Sequence, residues 1–161
     1  MFNLKAEFYL KIIFLFSFIA LISAFFIEYI LGHQPCNLCL IERIPYGLSI
    51  MIIMAIFLIR KNQKFLVMLL ILTFIFSFAI SFYHFGIEQG FFQESSVCGV
   101  KSLTEIITKE DLLKQLSEKT ISCKDVTFRI FGLSLTSINI VISLLFIITL
   151  LKIFKEYEKN K

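Results

Sequence analysis

The stretch His33-Gln34-Pro35-Cys36-Asn37-Leu38-Cys39-Leu40-Ile41-Glu42-Arg43-Ile44-Pro45-Tyr46 sets two cysteines, two prolines and a charge pair into one short break between apolar runs. Upstream, Ile12 to Leu31 is apolar over about the 20 residues that a helix needs to cross the hydrocarbon of a bilayer. Downstream, Ile44 to Ile59 is apolar but near the lower limit for a span. Arg43 at its edge supplies the missing length by carrying its head group to the interface. Pro45 is expected in the first turn of that second helix, where a missing N–H costs nothing.

The rest of the chain repeats the pattern. The polar turn Arg60-Lys61-Asn62-Gln63-Lys64 leads into a third run, Phe65 to Tyr83, so spans two and three form a helical hairpin. A fourth run extends from about Leu133 to Leu151, ahead of the charged tail Lys152 to Lys161. The chain has 161 residues, of which 58% are hydrophobic, against roughly 45–50% in soluble proteins. The expected fold is an all-α membrane protein: one membrane domain over residues 1–161, a bundle of four transmembrane helices. The expected spans are about 12–31, 44–59, 65–83 and 133–151, with polar-side loops at about 32–43 and 85–130. The first run is read as a retained span, because it exceeds the roughly 7–15 residues of a signal-peptide core and no small-x-small cleavage site follows.

Charge orients the bundle. Lys5, Lys11, the Arg60–Lys64 turn and the lysine-rich tail concentrate cations in short segments on one side. Arg43 and the cations of the long loop lie on the other side, the latter diluted among acids from Glu88 to Asp125. By the positive-inside rule both termini face the cytoplasm, and all four cysteines fall on the exported side. The net charge of +4 is thereby explained by the membrane, and nucleic-acid binding is excluded as a function class. Within the long loop, Ser102-Leu103-Thr104-Glu105 fits a capping box, and Leu103, Ile106 and Ile107 and then Leu112, Leu113 and Leu116 form short apolar faces. Short amphipathic helices lying on the membrane surface are expected there.

Cys36, Cys39, Cys98 and Cys123 carry the candidate chemistry. Exported cysteines form lasting disulfides, and four of them allow three pairings. Cys36–Cys39 with Cys98–Cys123 is favoured, because a CxxC turn closes easily and the second pair brackets the surface helices. A structural staple does most when it closes a long loop, which describes the second pair and not the first. A CxxC near a helix N-terminus, with Arg43 close by, instead favours a thiolate that attacks disulfides. Arg43 is also a candidate donor to a ligand oxygen, whereas Glu42 is read as its ion-pair partner or as a solvated charge. Asn139, Ser77 and Ser81 are read as interhelical hydrogen-bonding and close-packing positions.

Two competing readings come from the same residues. Zinc would use Cys36, Cys39, His33 and His84, or all four cysteines, but only one half-site has compact spacing. A non-enzymatic membrane protein with structural disulfides is the other. A hydrolase has less support, since no serine motif accompanies His33 or His84.

Pro35-Cys36-Asn37-Leu38-Cys39-Leu40-Ile41-Glu42-Arg43 resembles the P-C-x-L-C-x-x-E-R signature of the DsbB family of bacterial inner-membrane thiol oxidoreductases. Tyr83-His84-Phe85-Gly86-Ile87-Glu88-Gln89-Gly90 and Cys123-Lys124-Asp125, with Phe131-Gly132-Leu133-Ser134 beyond it, are similar to further stretches of that family. The resemblance covers essentially the whole chain. The vitamin K epoxide reductase homologues share helices, quinone and CxxC, but there the loop cysteines precede the CxxC. The resemblance implies that a DsbA-like periplasmic thiol oxidase attacks Cys98–Cys123, that Cys123 exchanges with Cys36–Cys39 through Cys36, and that Cys39 beside Arg43 passes electrons to a membrane quinone, ubiquinone or menaquinone. His84 and Glu88, just past the end of the third span, are on the correct side to border the quinone headgroup. No metal is expected.

Overall fold

The computed structural model describes residues 4–59, 62–93, 98, 122–124, 129–130 and 133–159. Four helices dominate them: α1 (Leu4–Tyr29), α2 (Asn37–Leu58), α3 (Gln63–Glu88) and α4 (Leu135–Lys159). At 1.5 Å per residue they run roughly 33–39 Å, enough to cross the hydrocarbon core. All four are long and apolar enough to span a membrane, as the four-helix expectation requires. The surface helices expected around 102–116 lie outside the described residues.

Each helix buries one stripe and leaves the rest for lipid. On α1 the stripe is Ala6, Leu10, Ile13 and Ser17, while Phe8, Leu15, Phe18 and Phe25 stay exposed. Apolar residues on both faces are the pattern of a helix with lipid behind it and protein in front. Helix α3 packs against both α2 and α4, α1 packs on α2, and α1 meets α4 over a short stretch. Four crossings bring the chain back to the end it started from, where Ala6 and Ile153 share one core. Phe74 meets Phe146 edge-to-face at 5.0 Å and Tyr46 at 6.4 Å in the middle of that core.

Hydroxyl groups bridge the helices. Ser49 of α2 donates to Ser17 of α1 at 2.9 Å, Ser143 of α4 to Ser77 of α3 at 3.1 Å, and the Asn139 amide of α4 to Ser81 of α3 at 2.7 Å. Each such bond contributes about 0.6 kcal/mol in a bundle. The sequence reading of Asn139, Ser77 and Ser81 agrees with these contacts.

The helices overrun the expected spans, α1 starting at Leu4 and α4 ending at Lys159, and three further differences bear on the site. Helix α2 starts at Asn37, so the segment 37–43 is helical and not loop. Pro45 therefore sits in the helix interior, where it withholds an N–H from the Ile41 carbonyl. Helix α3 runs on to Glu88, so His84 and Glu88 lie inside its last turns and not past its end. Before α4, β1 (Arg129–Ile130) pairs antiparallel with β2 (Leu133–Ser134), and the helix begins at Leu135. Ser134 caps it by accepting from the Ser137 N–H at 3.2 Å.

Candidate active site

Cys36 is the N-cap of α2, and its sulfur accepts the Cys39 backbone N–H at 3.3 Å. The cap fixes Cys36 at the positive end of the helix, and Cys39 follows on the first turn. Their Sγ atoms are 2.7 Å apart and both cysteines are free, so the disulfide favoured for this pair is not formed here. Helix α3 brings His84 beside them, its Nε2 standing 3.6 Å from Cys36 Sγ. The Cys36 thiol is drawn down from 9.0 to about 4. The Cys39 side-chain hydrogen bond is the main cause, and burial opposes it. The hydrogen bond and charge of His84 then add to the lowering, as does the Cys39 N–H.

Behind His84 lies a polar chain that reaches α4. His84 Nδ1 is 2.8 Å from Glu42 Oε1, and Glu42 Oε2 accepts the Asn139 amide at 3.0 Å. Tyr46 donates to the Asn139 side-chain oxygen. Thr136 donates to Glu88 Oε1 at 2.7 Å and lies 3.2 Å from His84 Nδ1. Glu88 Oε2 is buried and has no hydrogen-bond partner among the described residues.

Cys98 and Cys123 are joined by a disulfide, with Cα atoms 5.6 Å apart, as favoured from sequence. Both are buried, and they share one cluster with Cys36, Leu38 and Ile87, against which Cys39, Ile41 and Tyr83 pack. All four cysteines thus meet at one end of the bundle. Ile87 and Tyr83 of the last α3 turns hold this cluster together. Past them Gly90, at φ +78°, turns the chain so that the N–H groups of Phe91 and Phe92 both reach the Gly86 carbonyl. Phe92 then stacks on Tyr83 at 5.7 Å.

Arg43 is placed differently. Its guanidinium pairs with Glu28 of α1 and lies 5.3 Å over the Phe25 ring. Glu42 is therefore not its partner: consecutive helical residues point about 100° apart, and Glu42 turns inward to His84. The sequence reading missed Glu42 and Thr136 as site residues. A signal for Glu42 was present, because Leu38, Glu42, Pro45, Ser49, Ile52 and Ile56 form one buried stripe once α2 is extended back to the CxxC.

The competing zinc reading is narrowed. Cys98 and Cys123 are bonded to each other, so a four-cysteine site is closed off. Among the described residues, Cys36, Cys39 and His84 keep donor atoms within 4.8 Å of one another, and His33 is not of this group.

Fold and site define a multi-pass membrane protein that assembles a dithiol and a disulfide in one cluster at the end of a four-helix bundle. A family model described as disulfide bond formation protein DsbB matches residues 6–153. The uncharacterized protein RP370 of Rickettsia prowazekii (strain Madrid E) is 32% identical over 147 residues, covering 90% of this chain and 86% of its own length. The chain belongs to the DsbB family, and it is a membrane oxidoreductase that forms disulfides by thiol–disulfide exchange.

Proposed function

We propose that this protein re-oxidises a DsbA-type dithiol oxidase on the exported face of the bacterial inner membrane and passes the electrons to a membrane quinone. The observation that carries the reading is the single cluster holding both cysteine pairs. A partner thiolate attacks Cys98 and breaks the Cys98–Cys123 bond; the partner's second thiol then displaces Cys98, leaving the partner oxidised and this pair reduced. Cys123 attacks Cys36 of an oxidised Cys36–Cys39 pair and releases Cys39. Cys98 resolves the mixed disulfide, restoring Cys98–Cys123 and leaving Cys36 and Cys39 as the dithiol. Each exchange is favoured by a low-pKa leaving sulfur, and Cys36 is built as one. Because Cys98 and Cys123 are 1% and 2% exposed, exchange with a soluble partner requires the disulfide to leave the cluster.

A quinone, when bound, supplies a two-electron, two-proton sink. Arg43, His84 and Glu88 are the residues proposed to hold it. The fit is supported by Glu88 Oε2, a buried oxygen whose hydrogen-bonding capacity is unused among the described residues. A buried oxygen of this kind costs about 1–3 kcal/mol if left alone, and the hydroxyl of a reduced quinone headgroup would donate to it. Arg43 lies four residues after Cys39, one turn along the same helix face. The cysteine end is placed on the periplasmic side and both termini in the cytoplasm, on the strength of the Lys/Arg asymmetry.

Thiol trapping tests the reading. Protein reduced at Cys36 and Cys39 is mixed with ubiquinone or menaquinone analogues, and free thiols are counted by mass. Loss of two thiols on quinone addition is expected. Thiols that persist, together with stoichiometric bound zinc, would favour the alternative in which Cys36, Cys39 and His84 surround a metal.

A further inference from the structure

The polar chain behind Cys36 is longer than quinone contact requires. His84 has two ring nitrogens, and the structure decides which carries the neutral ring's proton. Nδ1 faces Glu42 Oε1 at 2.8 Å and Thr136 Oγ1 at 3.2 Å. An ionised carboxylate only accepts hydrogen bonds. Thr136 has a single hydroxyl proton, and it is given to Glu88 Oε1. Both neighbours of Nδ1 are therefore acceptors, so Nδ1 carries the proton. Nε2 faces Cys36 Sγ at 3.6 Å, with Glu88 Oε1 further off at 3.8 Å, so it is the nitrogen that takes a proton from the Cys36 thiol and, once protonated, donates to the thiolate.

Glu42 is held as firmly as it holds. Its second oxygen accepts from Asn139 at 3.0 Å, and the same amide donates to Ser81 at 2.7 Å. The carboxylate thus bridges α3 and α4 from α2, and at 9% exposure water competes little for it. A carboxylate, an imidazole and a thiol in line are the components that activate a cysteine nucleophile in unrelated enzymes.

We propose that Cys36, His84 and Glu42 form a proton-transfer triad in which His84 Nε2 exchanges a proton with Cys36 Sγ and Glu42 is the positioning residue that fixes the His84 ring. The triad rests on the reading that Cys36 and Cys39 cycle between dithiol and disulfide. When Cys98 resolves the mixed disulfide, Cys36 leaves as a thiolate beside a protonated His84. When the pair closes again, with a quinone as electron acceptor, the Cys36 thiolate, whose proton His84 holds, bonds to the Cys39 sulfur. His84 is then a catalytic residue toward Cys36 as well as a border of the acceptor site.

Among the described residues, few groups face Cys36. Helix α2 contributes Cys39 and Glu42, and α3 contributes His84 and Glu88. Helix α4 contributes the uncharged Thr136 and Asn139, and the nearest acid described on α1, Glu28, is paired with Arg43. The test follows thiolate ultraviolet absorbance against pH in purified protein with Cys98–Cys123 oxidised and Cys36 and Cys39 reduced. No quinone or partner is present, so the reading of the triad is separate from that of the acceptor. Glu42→Gln keeps the shape and removes the charge. It is expected to raise the lower thiolate midpoint by about one to three pH units, the range over which a nearby charge moves a titration. His84→Gln is expected to raise it as well. Ser49→Ala, which removes a buried hydroxyl bond between α1 and α2, controls for lost stability and is expected to leave the midpoint in place. A midpoint unmoved in both Glu42→Gln and His84→Gln overturns the triad. A shifted midpoint in protein whose thiols quinone fails to oxidise keeps the triad and removes the quinone.

Discussion

Glu42 and Arg43 are neighbours in sequence and part company in the fold. Glu42 turns to His84 and Asn139, while Arg43 crosses to Glu28 and Phe25 of α1. The Arg43 and Glu28 side chains are 17% and 21% exposed, so water screens the pair only in part. A double-mutant cycle of Glu28→Ala and Arg43→Ala, unfolded in detergent, is expected to give an interaction energy of about 1 kcal/mol, within the range for directly paired residues. Additive effects would mean that the pair contributes nothing. Cys36 makes a second residue-level prediction. Its thiol is lowered to about 4, so the thiolate persists above that value and is lost only as pH falls through it. Alkylation of the reduced protein at Cys36 should therefore stay flat from neutral pH downward until pH nears 4. A rate that rises steeply above pH 8, as for an ordinary thiol with a pKa of about 8.5, would contradict it.

At the scale of elements, the sequence made the four helices legible and blurred their ends. Hydropathy marks where lipid stops, whereas a helix continues as long as its backbone is bonded. Glu42 and Arg43 read as a membrane edge, which puts the expected helix start after them and Pro45 in its first turn. The Cys36 cap moves the start to Asn37 and makes the CxxC part of the helix. That single shift hides Glu42 from a sequence reading, since a loop has no inward face. The cysteines were legible because their spacing is local and the alternatives few. The His84–Glu42–Asn139 chain was not, because it joins α2, α3 and α4 across sequence separations of 42 and 97 residues. The end of α3 offers a check. A Cβ on Gly86 would lie 2.1 Å from the Phe92 ring, so Gly86→Ala must push that ring off Tyr83. Phe92 is partly exposed and can swing away, which holds the expected loss to about 1–3 kcal/mol in detergent unfolding. No loss would mean that the fold-back of residues 89–92 is not part of the stable structure.

Across the whole molecule, one end of the bundle is apolar and the other is wired with polar groups. Aliphatic and aromatic contacts among Leu10, Ile53, Leu70, Phe74 and Leu150 fill the core. Lys64 of α3 reaches Glu158 of α4 at 3.3 Å near the chain's own end. At the far end, stability and chemistry share the same sulfurs. The Cys98–Cys123 bond closes a separation of 25 residues, and loop-closure entropy makes that worth about 3.5 kcal/mol. Cys98→Ser should lower unfolding stability by about that amount while leaving Cys36 and Cys39 oxidisable by quinone. Cys36→Ser should do the reverse, sparing stability and stopping electron flow. Whether both pairs serve one electron path is the central claim, and one assay reads it directly. Purified protein is given reduced DsbA-type oxidase and a soluble quinone, and quinone absorbance is followed against partner disulfide formed. The account predicts equimolar loss of quinone and gain of partner disulfide in the wild type, and neither in Cys36→Ser or Cys98→Ser. Wild-type protein that consumes no quinone, or Cys36→Ser that consumes it at the full rate, would contradict it.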